Sequence, residues 1–184
     1  MADSSTDTSL PDDSRQDWAD GIFDVLKSFE LTQASYVPDG GHVRLIERFQ
    51  ADESIAAISL TTEEEGVAQS AGAWLGGARS VLLMQSSGVG NCINMLSLIK
   101  HCKFPFLTLI TMRGEWGEFN PWQVPMGSVV GDCLSLMGVT VMRADRPEEV
   151  VQTVRSAASM AFLGGTPCAV LLSQSLIGAK DFTK

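Results

Sequence analysis

Hydrophobic positions recur along the chain with two alternating periods. Trp18, Ile22, Val25, Leu26 and Phe29 fall at helical spacing and predict an amphipathic first helix, followed by a short strand over 33–37. A turn at Pro38-Asp39-Gly40-Gly41-His42 opens a second helix that runs to about Gln50, and Ile55–Ser59 reads as the next strand. Ser80–Met84 and the largely apolar run Phe106–Met112 are strands of the kind buried on both faces of a parallel sheet. Between them Met95, Leu98, Ile99 and Cys102 lie at i, i+3, i+4 and i+7, which predicts a helix after a glycine-rich turn at 85–91. Val130, Cys133, Leu134 and Met137 form a further helix face, closed by Gly138, and Val139–Met142 is a strand. The last long helix starts at Asp145–Glu149 with Pro147 in its first turn, and a strand over Cys168–Ser173 and a short tail or interface arm follow. Six strands joined by helix-sized connections predict an α/β fold: a doubly wound, six-stranded parallel sheet with helices on both faces. Ligands of such sheets lie outside the carboxyl ends of the strands, so the segments 38–42, 60–63, 85–91 and 113–123 should converge on one edge.

Residues 1–14 are polar, acidic and serine-rich and read as a disordered tail, leaving 15–184 for a single domain. The tail has the wrong composition for a targeting signal, and no apolar run reaches membrane-spanning length, so a cytoplasmic protein with no membrane role is expected. A net charge of −9 with scattered basic residues argues against nucleic acid as a partner. Cys92, Cys102, Cys133 and Cys168 have no metal or dithiol spacing and should be free thiols.

Candidate chemistry concentrates between residues 61 and 94. Thr62-x-x-Glu65 is a capping box, with Glu65 expected on the cap amide, which leaves Glu63 and Glu64 without a local partner. Three acids in a first turn can also simply complement the helix dipole. The glycines and alanines after them weaken the helix and imply that something packs close against it. Downstream, Gly88-x-Gly90 lacks the third glycine of a dinucleotide fingerprint and no Gly-Lys-Ser/Thr follows it, so neither that motif nor a P-loop is present. Ser86, Ser87 and Asn91 can cap a helix or contact a ligand, and Asp39 and His42 can likewise be loop residues or ligand contacts. The segment Arg113–Gln123, with Trp116 and Trp122, is either an ordinary surface loop or a functional one at a strand end.

Glu63 followed by Ala71-Gly72 at plus eight and plus nine resembles the signature of thiamine diphosphate enzymes. Gln85-Ser86-Ser87-Gly88-Val89-Gly90-Asn91 and Arg113-Gly114-Glu115 are similar to the α subunit of sulfopyruvate decarboxylase and the matching half of phosphonopyruvate decarboxylase, over about Tyr36 to Gly127. The resemblance implies a pyrimidine-binding domain in which Glu63 bonds the cofactor's aminopyrimidine ring and favours its imino form. It places Gln85, Ser86, Ser87, Gly88 and Asn91 at the cofactor, and Asp39, Gly40, Gly41 and His42 at the substrate. Arg113, at the end of a buried strand, becomes the best-placed cation for an anionic 2-oxo acid, with His42 second. The family binds diphosphate and Mg2+ through a Gly-Asp-Gly segment and a later Asn-Asn. Here only Gly131-Asp132-Cys133 comes near, inside a helix, so this chain should ligate no metal. The resemblance therefore implies a β subunit that carries the diphosphate and Mg2+ half, and a hetero-oligomer with the cofactor at the interface. The family's Gln-His pair is Gln123-Val124 here, which favours sulfopyruvate over phosphonopyruvate. An acetolactate synthase-like carboligase subunit and a non-catalytic regulatory or binding subunit are the other readings.

Overall fold

Strand-forming residues come in two kinds here, and the kind decides where each strand sits. A computed structural model describes residues 12–178, with side chains from Trp18 onward. Its elements in chain order are α1 (Asp12–Ser28), β1 (Leu31–Tyr36), α2 (Val43–Ala51), β2 (Ala56–Ser59), α3 (Glu63–Leu75), β3 (Arg79–Gln85), α4 (Ser86–Cys92) and α5 (Ser97–Cys102). They continue with β4 (Leu107–Thr111), a 3-10 turn (Pro121–Gln123), α6 (Val124–Leu136), β5 (Thr140–Ala144), α7 (Pro147–Phe162), β6 (Cys168–Leu172) and α8 (Gln174–Ile177). The apolar runs β4 and β6 are buried at every residue and lie inside the sheet, whereas β2 and β5, half exposed, form its edges. All pairings are parallel, in the order β2-β1-β3-β4-β6-β5.

Side-chain alternation divides the core in two. Val81 and Leu83 of β3, with Val170 and Leu172 of β6, pack against α1, α2 and α7, while Leu82, Met84, Ala169 and Leu171 face α3 to α6. The close-packed helix anticipated from its glycines is α3, and Gly66 is the residue that accounts for it: a Cβ there would overlap Leu82 of β3. Gly72 is different, with open space where its side chain would be.

Four sequence expectations need correction. The disordered stretch 1–14 falls outside the described residues except for its last three, which begin α1. Gly88-x-Gly90 is no turn, because α4 starts directly from β3 and the irregular link comes later, at 93–96. That link breaks the helical phase expected from Met95 onward, so Leu96 and Ile99 are buried while Cys102 is exposed. Residues 174–177, expected in a short tail or interface arm, instead form α8 and pack Leu176 and Ile177 into the core.

Candidate functional site

Strand order reverses between β1 and β3, and the segments that leave their carboxyl ends meet there. Asp39 joins three of the segments. Its Oδ1 accepts a hydrogen bond from Gln85 Nε2 (2.8 Å) at the end of β3, and its Oδ2 accepts from Thr111 Oγ1 (2.6 Å) at the end of β4 and from the Gly41 amide (3.1 Å). Gly41 has no room for a side chain, because a Cβ would lie 2.7 Å from Thr111 Cγ2. Asp39 and Gly40 border a cavity of about 510 Å³ on the β2 side of this junction.

Glu63 stands at the start of α3 and is 8% exposed. Asn91 Nδ2 donates to its Oε2 at 2.8 Å. Gly88, one helical turn earlier on α4, lies under the same carboxylate, and a Cβ there would overlap Oε1 and come within 2.6 Å of Cγ. The missing side chain of Gly88 is the space that Glu63 occupies. The other two acids are bound locally. Glu65 Oε2 accepts the Thr61 amide (3.0 Å), one residue before the amide expected from a capping box, and Glu64 accepts the Thr62 hydroxyl (2.6 Å), so Thr62 does not cap with its side chain. Beside Asn91 opens a cavity of about 710 Å³ lined by Ser87, Asn91, Pro121, Trp122, Pro125 and Met126. Cys92 is the nearest thiol to this site. Burial, then the charges of Glu63 and Glu64, push its pKa up to about 12, so it stays protonated and unreactive.

The segment after β4 closes on itself. A Cβ on Gly127 would overlap the Arg113 carbonyl oxygen, and Gly114, with φ +79°, sits against the Gln123 carbonyl. Inside it Arg113 Nε and Nη2 each donate to Glu118 at 2.6 Å, and both side chains are almost fully buried. Arg113, expected to offer its charge to an anion, is here neutralised by Glu118 at a bidentate pair. Arg113, with amides of Asn120 and Gly114, holds the Glu118 pKa down at about 2 against the opposing effect of burial. Ser86 is likewise internal, completely buried and accepting the Arg113 amide (3.1 Å), while the Ser87 hydroxyl donates to Gln85 Oε1 (3.1 Å).

His42, the second candidate, is also buried. It precedes α2 without capping it, is 1% exposed, and its Nε2 lies 3.2 Å from the Leu109 carbonyl. A carbonyl only accepts, so Nε2 carries the hydrogen and the ring is tied to β4 and not presented to a ligand. Burial lowers its pKa below the ordinary 6.5, outweighing the opposite pulls of Asp39 and the Leu109 and Met84 carbonyls. The unfolded chain then takes up a proton that the folded chain resists, so stability is complete above pH 6.5 and declines as pH falls below it. Melting temperatures of wild type and His42→Gln should therefore differ in slope between about pH 7 and 5, the variant being flatter. Parallel curves would mean that His42 does not titrate on unfolding.

Comparison with known proteins bears on what this edge serves. No protein-family model matches the chain. It is 33% identical over 151 residues to the α subunit of sulfopyruvate decarboxylase from Methanocaldococcus jannaschii, covering 82% of this chain and 89% of that one. The chain belongs to the sulfopyruvate decarboxylase α subunit family. A sulfopyruvate decarboxylase of Methanosarcina acetivorans is 42% identical over 120 residues, which are 65% of this chain but 30% of that protein. Phosphonopyruvate decarboxylase of Streptomyces viridochromogenes is 35% identical over 113 residues, 60% of this chain and 28% of that one. The fold is shared with solved structures. A putative thiamin diphosphate-dependent enzyme of Mycobacterium smegmatis superposes with a TM-score of 0.67 at 16% identity over 91% of this chain and 32% of its own. A 2-oxoglutarate:ferredoxin oxidoreductase of Magnetococcus marinus gives 0.65 at 14% over 87% and 29%.

Of the residues singled out in the sequence, the fold brings Glu63, Gly88 and Asn91 together at one point and Asp39, Gly41 and Gln85 at another. Met126, which with Trp122 walls the cavity beside Asn91, and Gln174, which holds the segment carrying Trp122, received no role from the sequence, and Trp122 was noted only as part of its loop. Among the described residues, no group of three His, Cys, Asp or Glu side chains could hold a metal ion, and no helix is long and apolar enough to cross a membrane.

Proposed function

We propose that this chain is the pyrimidine-binding subunit of a cytoplasmic thiamine diphosphate-dependent decarboxylase that converts 3-sulfopyruvate to sulfoacetaldehyde and CO2. A β subunit would carry the diphosphate- and Mg2+-binding domain. One observation carries the reading: a buried carboxylate, Glu63, oriented by Asn91 over the bare backbone of Gly88 beside a cavity walled by Trp122 and Met126. These residues fit the aminopyrimidine half of the cofactor, an apolar slot with one carboxylate at its side. Bound thiamine diphosphate supplies the electron sink for the pair left behind as CO2 departs, which no side chain here offers. Glu63 would hold the ring through its carboxylate, and because Asn91 occupies Oε2, Oε1 would be the atom that gives or takes a proton. Trp122, Pro125 and Met126 wall the cavity beside Asn91 in which the ring would lie. Asp39 and Gly40 border the second cavity, where the remainder of the substrate site is assigned.

The partner assignment draws on relative lengths. The chain matches nearly all of a relative named as an α subunit but under a third of relatives named as whole decarboxylases. The anion's counter-charge is assigned to the partner, since Arg113 is neutralised by Glu118. The test is CO2 release from sulfopyruvate, phosphonopyruvate and pyruvate, by this chain alone and co-purified with its β subunit. Activity should need both chains, and kcat/KM should be highest for sulfopyruvate. Full turnover by the isolated chain rules out the divided site, and a preference for phosphonopyruvate moves the assignment to that substrate.

A further inference from the structure

Gln174 follows β6 by two residues and begins α8, on the strand next to β4. Its side chain is 1% exposed and both of its ends are engaged. Oε1 accepts the amides of Glu115 (2.9 Å) and Trp116 (3.1 Å), and Nε2 donates to Glu118 Oε2 (2.9 Å). Its own backbone amide donates to Glu115 Oε2 at 3.1 Å. A buried glutamine in this arrangement fastens the segment 113–123 to the end of β6 with bonds made away from water. The start of the segment is also fastened to α4, through the Arg113 amide on Ser86. Four residues beyond Glu118 comes Trp122, which shares the 710 Å³ cavity with Ser87 and Asn91, and Asn91 is the residue that orients Glu63.

We propose that Gln174 is a positioning residue for the decarboxylation: it sets where the 113–123 segment sits over the sheet edge, and thereby the wall that Trp122 presents beside Asn91 and Glu63. The proposal rests on the reading of that cavity as the cofactor and substrate site. Gln174 touches the segment and not the cavity, so it acts through Trp122. Losing its bonds leaves the Glu115 and Trp116 amides unpaired, and the segment must shift to reach other partners. A displacement of about 1 Å at a reacting site costs as much as 10²-fold in rate.

Two substitutions test this in the complex with the β subunit. Gln174→Met keeps length and burial but makes none of the side-chain bonds, and kcat should fall about 10- to 100-fold with KM changing less than about threefold. Gln174→Glu keeps both acceptor contacts but sets a carboxylate against Glu118 while ionised. Once protonated it can donate to Glu118 as the amide did. The groups facing it are the carboxylates Glu115 and Glu118, held by Arg143 and Arg113 respectively, with Ser173 on its own strand end. Its kcat should therefore rise relative to wild type as pH falls, a change of profile that simple loss of stability does not produce. This variant also serves where Gln174→Met fails to assemble. Wild-type kcat in Gln174→Met, or a Gln174→Glu profile parallel to wild type, overturns the proposal. Should the wild-type complex decarboxylate no 2-oxo acid, the functional reading falls separately and amide exchange decides the positioning. Protection at Glu115 and Trp116 must then drop in Gln174→Met while β4 amides keep theirs, and unchanged protection overturns it.

Discussion

Glu63→Gln is expected to leave folding and assembly intact and to lower turnover about 10²- to 10⁴-fold, the usual share of a proton-transfer group. Glutamine has the shape to keep the Asn91 contact, now 2.8 Å, but it cannot hold the negative charge that draws a proton onto the ring beside it. Gly88→Ala should reach a similar loss without changing any charge. Its methyl would overlap the Glu63 carboxylate, the far end of a flexible side chain, so the carboxylate moves and the fold survives. Glu65→Gln is the matched control, because glutamine still accepts the Thr61 amide, and it should change stability by only a few tenths of a kcal/mol. Proton exchange at the thiazolium carbon in the assembled complex separates the three. If Glu65→Gln slows exchange while Glu63→Gln and Gly88→Ala do not, the functional carboxylate has been placed two positions too early.

How far these features could be read from sequence depends on the range over which their cause acts. The strands were legible because their burial is written locally: Phe106–Met112 is apolar but for Thr108 and Thr111, and β4 is completely buried. Gly138 was legible as a helix terminator for the same reason, and it does adopt φ +85°. Gly88 and Gly90 were misread as a turn because glycine's propensity points that way, whereas here Glu63, distant in sequence, needs the space of one and Met126 Sδ would lie 3.2 Å from a Cβ on the other. Once α4 is known to be helical, Gly88 and Asn91 at i and i+3 are seen to share the face that meets Glu63. Gln174 left no local signal, since its partners lie 56 to 59 residues away. Glu118, five residues after Arg113, was within view, and an acid that near a basic strand end signals a partner for it.

Arg113→Ala should act on stability before it acts on substrate choice. Removing the guanidinium leaves the Glu118 carboxylate in a nearly closed site with only the amides of Gly114 and Asn120 and the Gln174 side chain for support. Breaking a buried pair from one side typically costs about 3–5 kcal/mol, which for a chain of this size lowers the melting temperature on the order of 10 °C. The pH dependence identifies the cause. In wild type the Glu118 pKa, about 2 against an ordinary 4.5, gives stability that is present above pH 4.5 and lost as pH falls toward 2. In Arg113→Ala the orphaned carboxylate should titrate higher, so the deficit relative to wild type is greatest near neutrality and shrinks in acid. Adding Glu118→Gln should recover part of the loss at neutral pH, because it removes the buried charge while its one carbonyl oxygen still accepts one of the two backbone amides. Apparent KM values for sulfopyruvate and pyruvate should shift together in the single variant. A rise confined to sulfopyruvate, with the melting temperature unchanged, would show instead that the substrate's sulfonate displaces Glu118 and binds Arg113 directly.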